Sequence, residues 1–157
     1  MAKKNNEEEE EIMLSMPRPR LTKLIVKNFR CIGSTGVEID LDEIVVLVGP
    51  NNVGKSSLLR AYEIAMSDGS NASKLSIDDF PNRKPDENNL PQIELHTIIY
   101  DERVGAQWIQ KFEDGWLVKE KWTWKKEGTI PDRQGWDITI NNWHENSFPF
   151  GPDNIAN

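Results

Sequence analysis

The chain has 157 residues, 37% of them apolar, and a formal net charge of −7; that length allows one domain with a real core and argues against two. Residues 1–20 carry four basic and five acidic side chains, so the remaining −6 lies on the rest of the chain, which excludes a strongly basic nucleic-acid-binding domain and leaves room only for a local basic patch or for DNA met through a larger assembly. With Cys31 as the single cysteine there is no internal disulfide and no cysteine-based zinc site, as suits a reducing, cytoplasmic setting, and no apolar run approaches the roughly 20 residues that cross a bilayer.

In chain order, residues 1–20 read as a disordered acidic leader. It starts basic but lacks an apolar stretch, so it is not a signal peptide. Glu7 to Glu11 read as a solvated tail, and Pro17-Arg18-Pro19 stiffens its end. Residues 21–157 form the domain. Leu21 to Phe29 is β-prone, with a turn at Gly33 to Gly36. Val37, Ile39 and Leu41 alternate with acidic residues, the pattern of a half-buried strand. Ile44 to Val48 is apolar without a break and predicts a third strand, buried on both faces.

A loop from Gly49 and a helix from Lys55 to about Met66 follow. Leu58, Leu59, Tyr62 and Ala65 or Met66 give that helix one apolar face. Residues 67–91 are rich in Asp, Asn, Ser and Pro and predict a loop, with a short turn around Ile77 to Phe80. Ile93, Leu95, Thr97 and Ile99 restore strand alternation. Ala106 to Phe112 reads as a short helix. All six tryptophans lie between positions 108 and 143. Val118, Trp122 and Trp124 share one strand face with Lys119, Lys121 and Lys125 on the other, and Trp136, Ile138 and Ile140 alternate likewise. The result is a Trp-rich β-hairpin region.

Residues 49–56 read GPNNVGKS and match G-x-x-x-x-G-K-[ST] at every fixed position. A chance match in a chain this long is expected at roughly 1% or less. Gly49 and Gly54 let the backbone curl close to phosphate oxygens. The N–H groups of Pro50's neighbours Asn51, Asn52 and Val53 turn inward as an anion nest, and the helix aims its positive end at the same place. Lys55 supplies charge to the β and γ phosphates, Ser56 ligates Mg²⁺, and Ser57 reaches the α phosphate. The implied cofactors are ATP and Mg²⁺. Hydrolysis needs more than this loop, and Tyr100-Asp101-Glu102 is the nearest approach to a Walker B acidic pair.

The stretches LTKLIVKNFRCI and IDLDEIVVLVGPNNVGKSSLLRA resemble the N-terminal ATPase segment of the ABC-type DNA-maintenance ATPases, the RecF, SMC and OLD (overcoming lysogenisation defect) families. GPNNVGKSSLL is most similar to the OLD-family ATP-dependent endonucleases and their anti-phage relatives, and SIDDFPN followed by PQIELHTIIYDE resembles the same group. The resemblance covers residues 21–102. It implies an α/β fold, a partial P-loop NTPase: the N-terminal lobe of an ABC-type ATPase head with a β-rich edge. It implies that Arg30 touches the nucleotide. It also implies ATP sandwiched between two heads of a homodimer, DNA met by the larger assembly, and roles in DNA repair or antiviral defence; no membrane partner is expected, since no apolar run is long enough to cross one.

No signature motif, convincing Walker B, switch histidine or Toprim nuclease segment is found. His96 and His144 are isolated, and neither Gln92 nor Gln107 has the context of a Q-loop. The chain therefore reads as a lobe that binds ATP and needs missing segments or a partner head to hydrolyse it. The alternative is a nucleic-acid-binding module using the Trp/Lys-rich stretch 116–126. A GTPase would need an N/T-K-x-D motif, which is absent, and Arg83, Arg103 and Arg133 are too scattered for a kinase lid.

Overall fold

In the computed structural model, residues 17–50, 54–67, 73–100 and 105–144 are described. Strands β1 (Arg20–Lys27) and β2 (Val37–Asp40) form a hairpin in which Lys23 faces Asp40 and Val26 faces Val37. The chain reverses after β1 through Asn28 and Arg30, both at positive φ, and the backbones of Phe29 and Ile32 bond each other in both directions. Helix α1 (Lys55–Ala65) comes next. Strands β3 (Gln92–Ile99), β4 (Gln110–Phe112), β5 (Gly115–Thr123), β6 (Asp132–Asp137) and β7 (Asn142–Trp143) complete the elements. The strands lie in the order β2-β1-β3-β5-β6-β7, with β4 also on β5, and every pairing is antiparallel.

Side-chain alternation decides the two faces of this sheet. Leu24 and Val26, Ile93 and Leu95, and Trp122 form the inner face. Against them α1 lays Leu58, Ala61, Ile64 and Ala65, while Phe29, Phe80 and Trp124 fill the remaining space. Trp122 and Trp124 meet edge-on at 6.0 Å. Each indole N–H has an acceptor, Glu120 at 2.6 Å for Trp122 and the Ser73 carbonyl at 2.6 Å for Trp124, which lets such large rings be fully buried. Glu120 is itself buried on this face, and Arg133 donates to it from Nε at 2.7 Å. Burial pushes the Glu120 carboxyl above the usual carboxylate range, and the Arg133 charge offsets part of that shift. Ile99, Trp108, Ile109 and Val118 make a second, smaller cluster.

The largest departure from expectation is Ile44 to Val48. It is not a strand, and Ile44, Val46 and Val48 are 83%, 75% and 89% exposed; only Leu47 packs at the margin of the core. A strand buried on both faces takes its definition from neighbours on both edges. Among the described residues the sheet is antiparallel and ends at β2, so no strand flanks this segment.

The helix differs by a rotation. Leu58 and Ala65 are buried with Ala61 and Ile64, but Leu59, Tyr62 and Met66 face outward. Ile138 and Ile140 do not extend β6. They sit exposed in the turn before β7, where the Asp137 carboxylate accepts from the Thr139 N–H at 2.8 Å and starts the reversal. Ala106 to Phe112 is one 3₁₀ turn, Ala106–Trp108, followed by β4 rather than a helix. The turn expected near Ile77 is present as Ile77–Asp79, with a second at Pro81–Arg83. Most of the leader lies outside the described residues, and Arg20 already belongs to β1. No helix among the described residues is long and apolar enough to cross a membrane.

Candidate nucleotide-binding site

Gly54 caps the N-terminus of α1 at φ 94°, ψ 5°. A Cβ there would meet Ile32 Cγ1 at 3.5 Å and Cys31 Sγ at 3.7 Å, both ordinary contacts. The left-handed backbone, rather than lack of space, therefore calls for glycine. No side chain caps this helix and no acidic residue stands in its first turn, so its leading N–H groups and positive dipole end are left available to an outside anion. The Lys55 ammonium curls back over the loop, donating to the Gly49 carbonyl and to the Pro50 carbonyl at 3.0 Å. A full positive charge thus stands beside the uncapped helix start. The Ser56 hydroxyl is exposed at the same end. Asn51, Asn52 and Val53 lie outside the described residues.

This donor set fits a nucleoside triphosphate with Mg²⁺. Among the described residues no three His, Cys, Asp or Glu side chains converge on a common point. A hard divalent ion held by phosphate oxygens would find a further oxygen ligand in the exposed Ser56 hydroxyl. Ser57, by contrast, is buried, and its Oγ lies 3.2 Å from Cys31 Sγ.

That contact ties the turn after β1 to the helix. Arg30 sits in the same turn at φ 52°. Its N–H donates to the Asp79 carbonyl at 2.9 Å, and its Nε donates to Asp79 Oδ1 at 2.8 Å. Oδ2 of Asp79 accepts from the Ser76 N–H at 3.0 Å and the Ser76 hydroxyl at 3.2 Å. Asp79 is fully buried, while the Arg30 side chain is 35% exposed. The turn is thus held on one side by the helix start and on the other by Asp79. Sequence reasoning missed Asp79 as a partner of Arg30. The one local signal was the S-x-x-D spacing of Ser76 and Asp79, which forms a capping box.

Cys31 is exposed and next to this site, which yields a measurement. Labelling of Cys31 by a maleimide should slow several-fold when Mg-ATP is added, because phosphates gathered at the start of α1 would crowd the thiol. A labelling rate indifferent to Mg-ATP would contradict placing the nucleotide against this turn.

Asp101, Glu102 and Arg103 lie outside the described residues. The other described candidates do not join the site. His96 Nε2 is 2.6 Å from Glu94, and His144 packs edge-on against Trp108 with its N–H bonded to the Gly135 carbonyl. Gln92 opens β3, and Gln107 lies in the 3₁₀ turn, its carbonyl bonded to Ile138. Arg83 pairs with Asp78, and Arg133 with Glu120. The nucleic-acid reading of 116–126 needs a correction: Trp122 and Trp124 are core residues, closed to stacking, and Lys119 and Lys121 lie on the opposite face of the sheet.

Residues 20–127 match the family model of the AAA ATPase domain. Over 48 residues, 31% of this chain and 9% of the relative's length, the sequence is 40% identical to an OLD nuclease of Thermus scotoductus. Two solved structures are similar at 20% identity. One comes from work on ATP-driven dimerization and DNA-stimulated activation of SMC ATPases, with a TM-score of 0.44 over 82% of this chain and 72% of that chain. The other is the Smc head domain with an extended coiled coil, bound to the C-terminal domain of ScpA, from Pyrococcus furiosus; its TM-score is 0.42 over 80% of this chain and 30% of that chain.

Proposed function

Since the chain belongs to the AAA ATPase domain family, we propose that it binds ATP with Mg²⁺ at Gly49 to Ser56 and serves as the nucleotide-binding lobe of an OLD-like ATPase that acts on DNA, in repair or in defence against phage. Its fold is α/β, a partial P-loop NTPase, and it is an ATPase domain related to an OLD nuclease. The observation that carries the binding reading is the Lys55 ammonium beside the uncapped start of α1. In this reading Lys55 holds the β and γ phosphates, the loop N–H groups cradle them, and Ser56 takes the metal. Mg²⁺, when bound, would neutralise charge on the β and γ oxygens. Arg30 reaches the nucleotide from the turn that Asp79 fixes. Ser57 meets the α phosphate only if its hydroxyl leaves Cys31.

Two exposed apolar sets support the view that other parts complete this lobe. Ile44, Val46 and Val48 precede the loop, and Leu59, Tyr62 and Met66 follow it on α1. Exposed apolar residues concentrated around one loop mark a surface meant to be covered. Further strands and a second head, as in a homodimer, are the proposed cover, and they would bring the groups that place the attacking water. The test is turnover by the isolated chain. It should bind Mg-ATP yet hydrolyse it at least about a hundredfold more slowly than the roughly 1 s⁻¹ at the lower end of ordinary enzymes. Brisk turnover by a monomer would sink the claim that the catalytic groups come from elsewhere.

A further inference from the structure

The sheet face turned away from α1 carries a pattern that the nucleotide site does not use. Lys27 of β1, Glu94 and His96 of β3, and Lys119 and Lys121 of β5 share this face by alternation and register. Beyond them, Trp136 of β6 stands opposite Trp143 of β7, the two rings edge-on at 5.4 Å. Lys121 Nζ lies 4.5 Å from the Trp143 ring centre, and Lys119 Nζ lies 5.5 Å from that of Trp136. Ile25, Lys27, Gln92, Glu94, Lys121 and Trp143 line a depression of about 130 Å³.

Cations outnumber anions in this patch. Glu94 is the carboxylate opposite Lys121, and it already holds His96. Burial lowers the Lys121 pKa from the ordinary lysine value, Glu94 works against that, and the like charge of Lys27 lowers it further. Holding two lysines together around a partly buried floor is unfavourable without an anion to share. The tryptophans add planar surfaces on a rigid sheet, half-buried and reachable from solvent.

We propose that this outer face, through Lys27, Lys119, Lys121, Trp136 and Trp143, binds single-stranded nucleic acid, phosphates on the ammonium groups and bases on the indoles. The chemistry favours this partner over an acidic peptide, which would satisfy the lysines and leave the rings without a stacking partner. A stacked base is worth about five- to a hundredfold in affinity. Stacking on the ring and a phosphate on the ammonium together replace the lysine–ring contact, so each ammonium can leave its indole for a phosphate as the base arrives. Residues 21–157 carry −6 of the chain's −7, so the attraction is local: it comes from Lys27, Lys119 and Lys121 grouped on this face against the carboxylate of Glu94.

The inference does not rest on ATP binding. Its test uses the full chain and a fluorescein-labelled 15-nucleotide oligo-dT, followed by anisotropy and by tryptophan emission from about 50 mM salt upward. Binding should quench tryptophan emission and weaken with salt at a log–log slope of about −2, as three neutralised phosphates require. Trp143→Ala should weaken it about tenfold. Lys121→Glu, a surface change chosen in case Trp143→Ala fails to fold, should weaken it at least as much and flatten the slope. Lys55→Ala should bind oligo-dT like the wild type, which separates this surface from the P-loop. No binding at 50 mM salt, full binding by Lys121→Glu, or equal binding of a poly-glutamate peptide would each overturn the proposal.

Discussion

Asp79→Ala should destabilise the fold by about 2–4 kcal/mol, seen as a fall in Tm of roughly 10 °C. The carboxylate it removes is fully buried and accepts three bonds, from Arg30 Nε, the Ser76 N–H and the Ser76 hydroxyl. Breaking a fully buried pair by deleting one partner costs about 3–5 kcal/mol. The lower figure fits here because the Arg30 side chain is 35% exposed and can take water in place of Asp79. The Ser76 N–H has no such relief. Asp79→Asn keeps an acceptor for it and should lose roughly half as much. A second readout separates position from stability. Arg30 and Cys31 share one turn, and Cys31 touches Ser57 of the helix start. Loosening that turn should also weaken ATP binding at temperatures where the variant is still folded. Denaturant melts of the wild type, Asp79→Ala, Arg30→Ala and the double variant would measure the coupling. A coupling near zero would mean the pair does not form in solution.

The parts of the molecule legible in the sequence are those whose signal is local. The loop at Gly49 to Ser56 announces itself through residue types that a phosphate cradle needs at fixed spacing. Strands β1, β3 and β5 are legible because one face is core and the other meets solvent, which writes period two into Leu24 and Val26, Ile93 and Leu95, Val118 and Trp122. The misses have a common cause. Ile44 to Val48 has strand composition, but pairing is a property of neighbours, and none flanks it among the described residues. Leu59, Tyr62 and Met66 are apolar at helical spacing, yet periodicity cannot say which of two apolar stripes on α1 meets this sheet. Ile138 continues the alternation of β6 past the point where Asp137 turns the chain. The Arg30–Asp79 pair spans 49 residues, beyond any local pattern, and so does the cluster of Lys27 and Lys121 around Trp143.

Lys55→Ala should weaken Mg-ATP binding by about ten- to a hundredfold, since a charge-assisted contact to phosphate is worth roughly 1.5–3 kcal/mol. The fold should be unaffected, because the ammonium is bonded to the carbonyls of Gly49 and Pro50 in its own loop and supports nothing in the core. Among the described residues the ammonium bonds these two carbonyls, and phosphate is the stronger acceptor. Isothermal titration of Mg-ATP into the wild-type chain and into Lys55→Ala tests the P-loop claim most directly. Saturable one-site binding by the wild type, with affinity down at least tenfold in a folded Lys55→Ala, is the predicted result; equal affinity in the two proteins would contradict it.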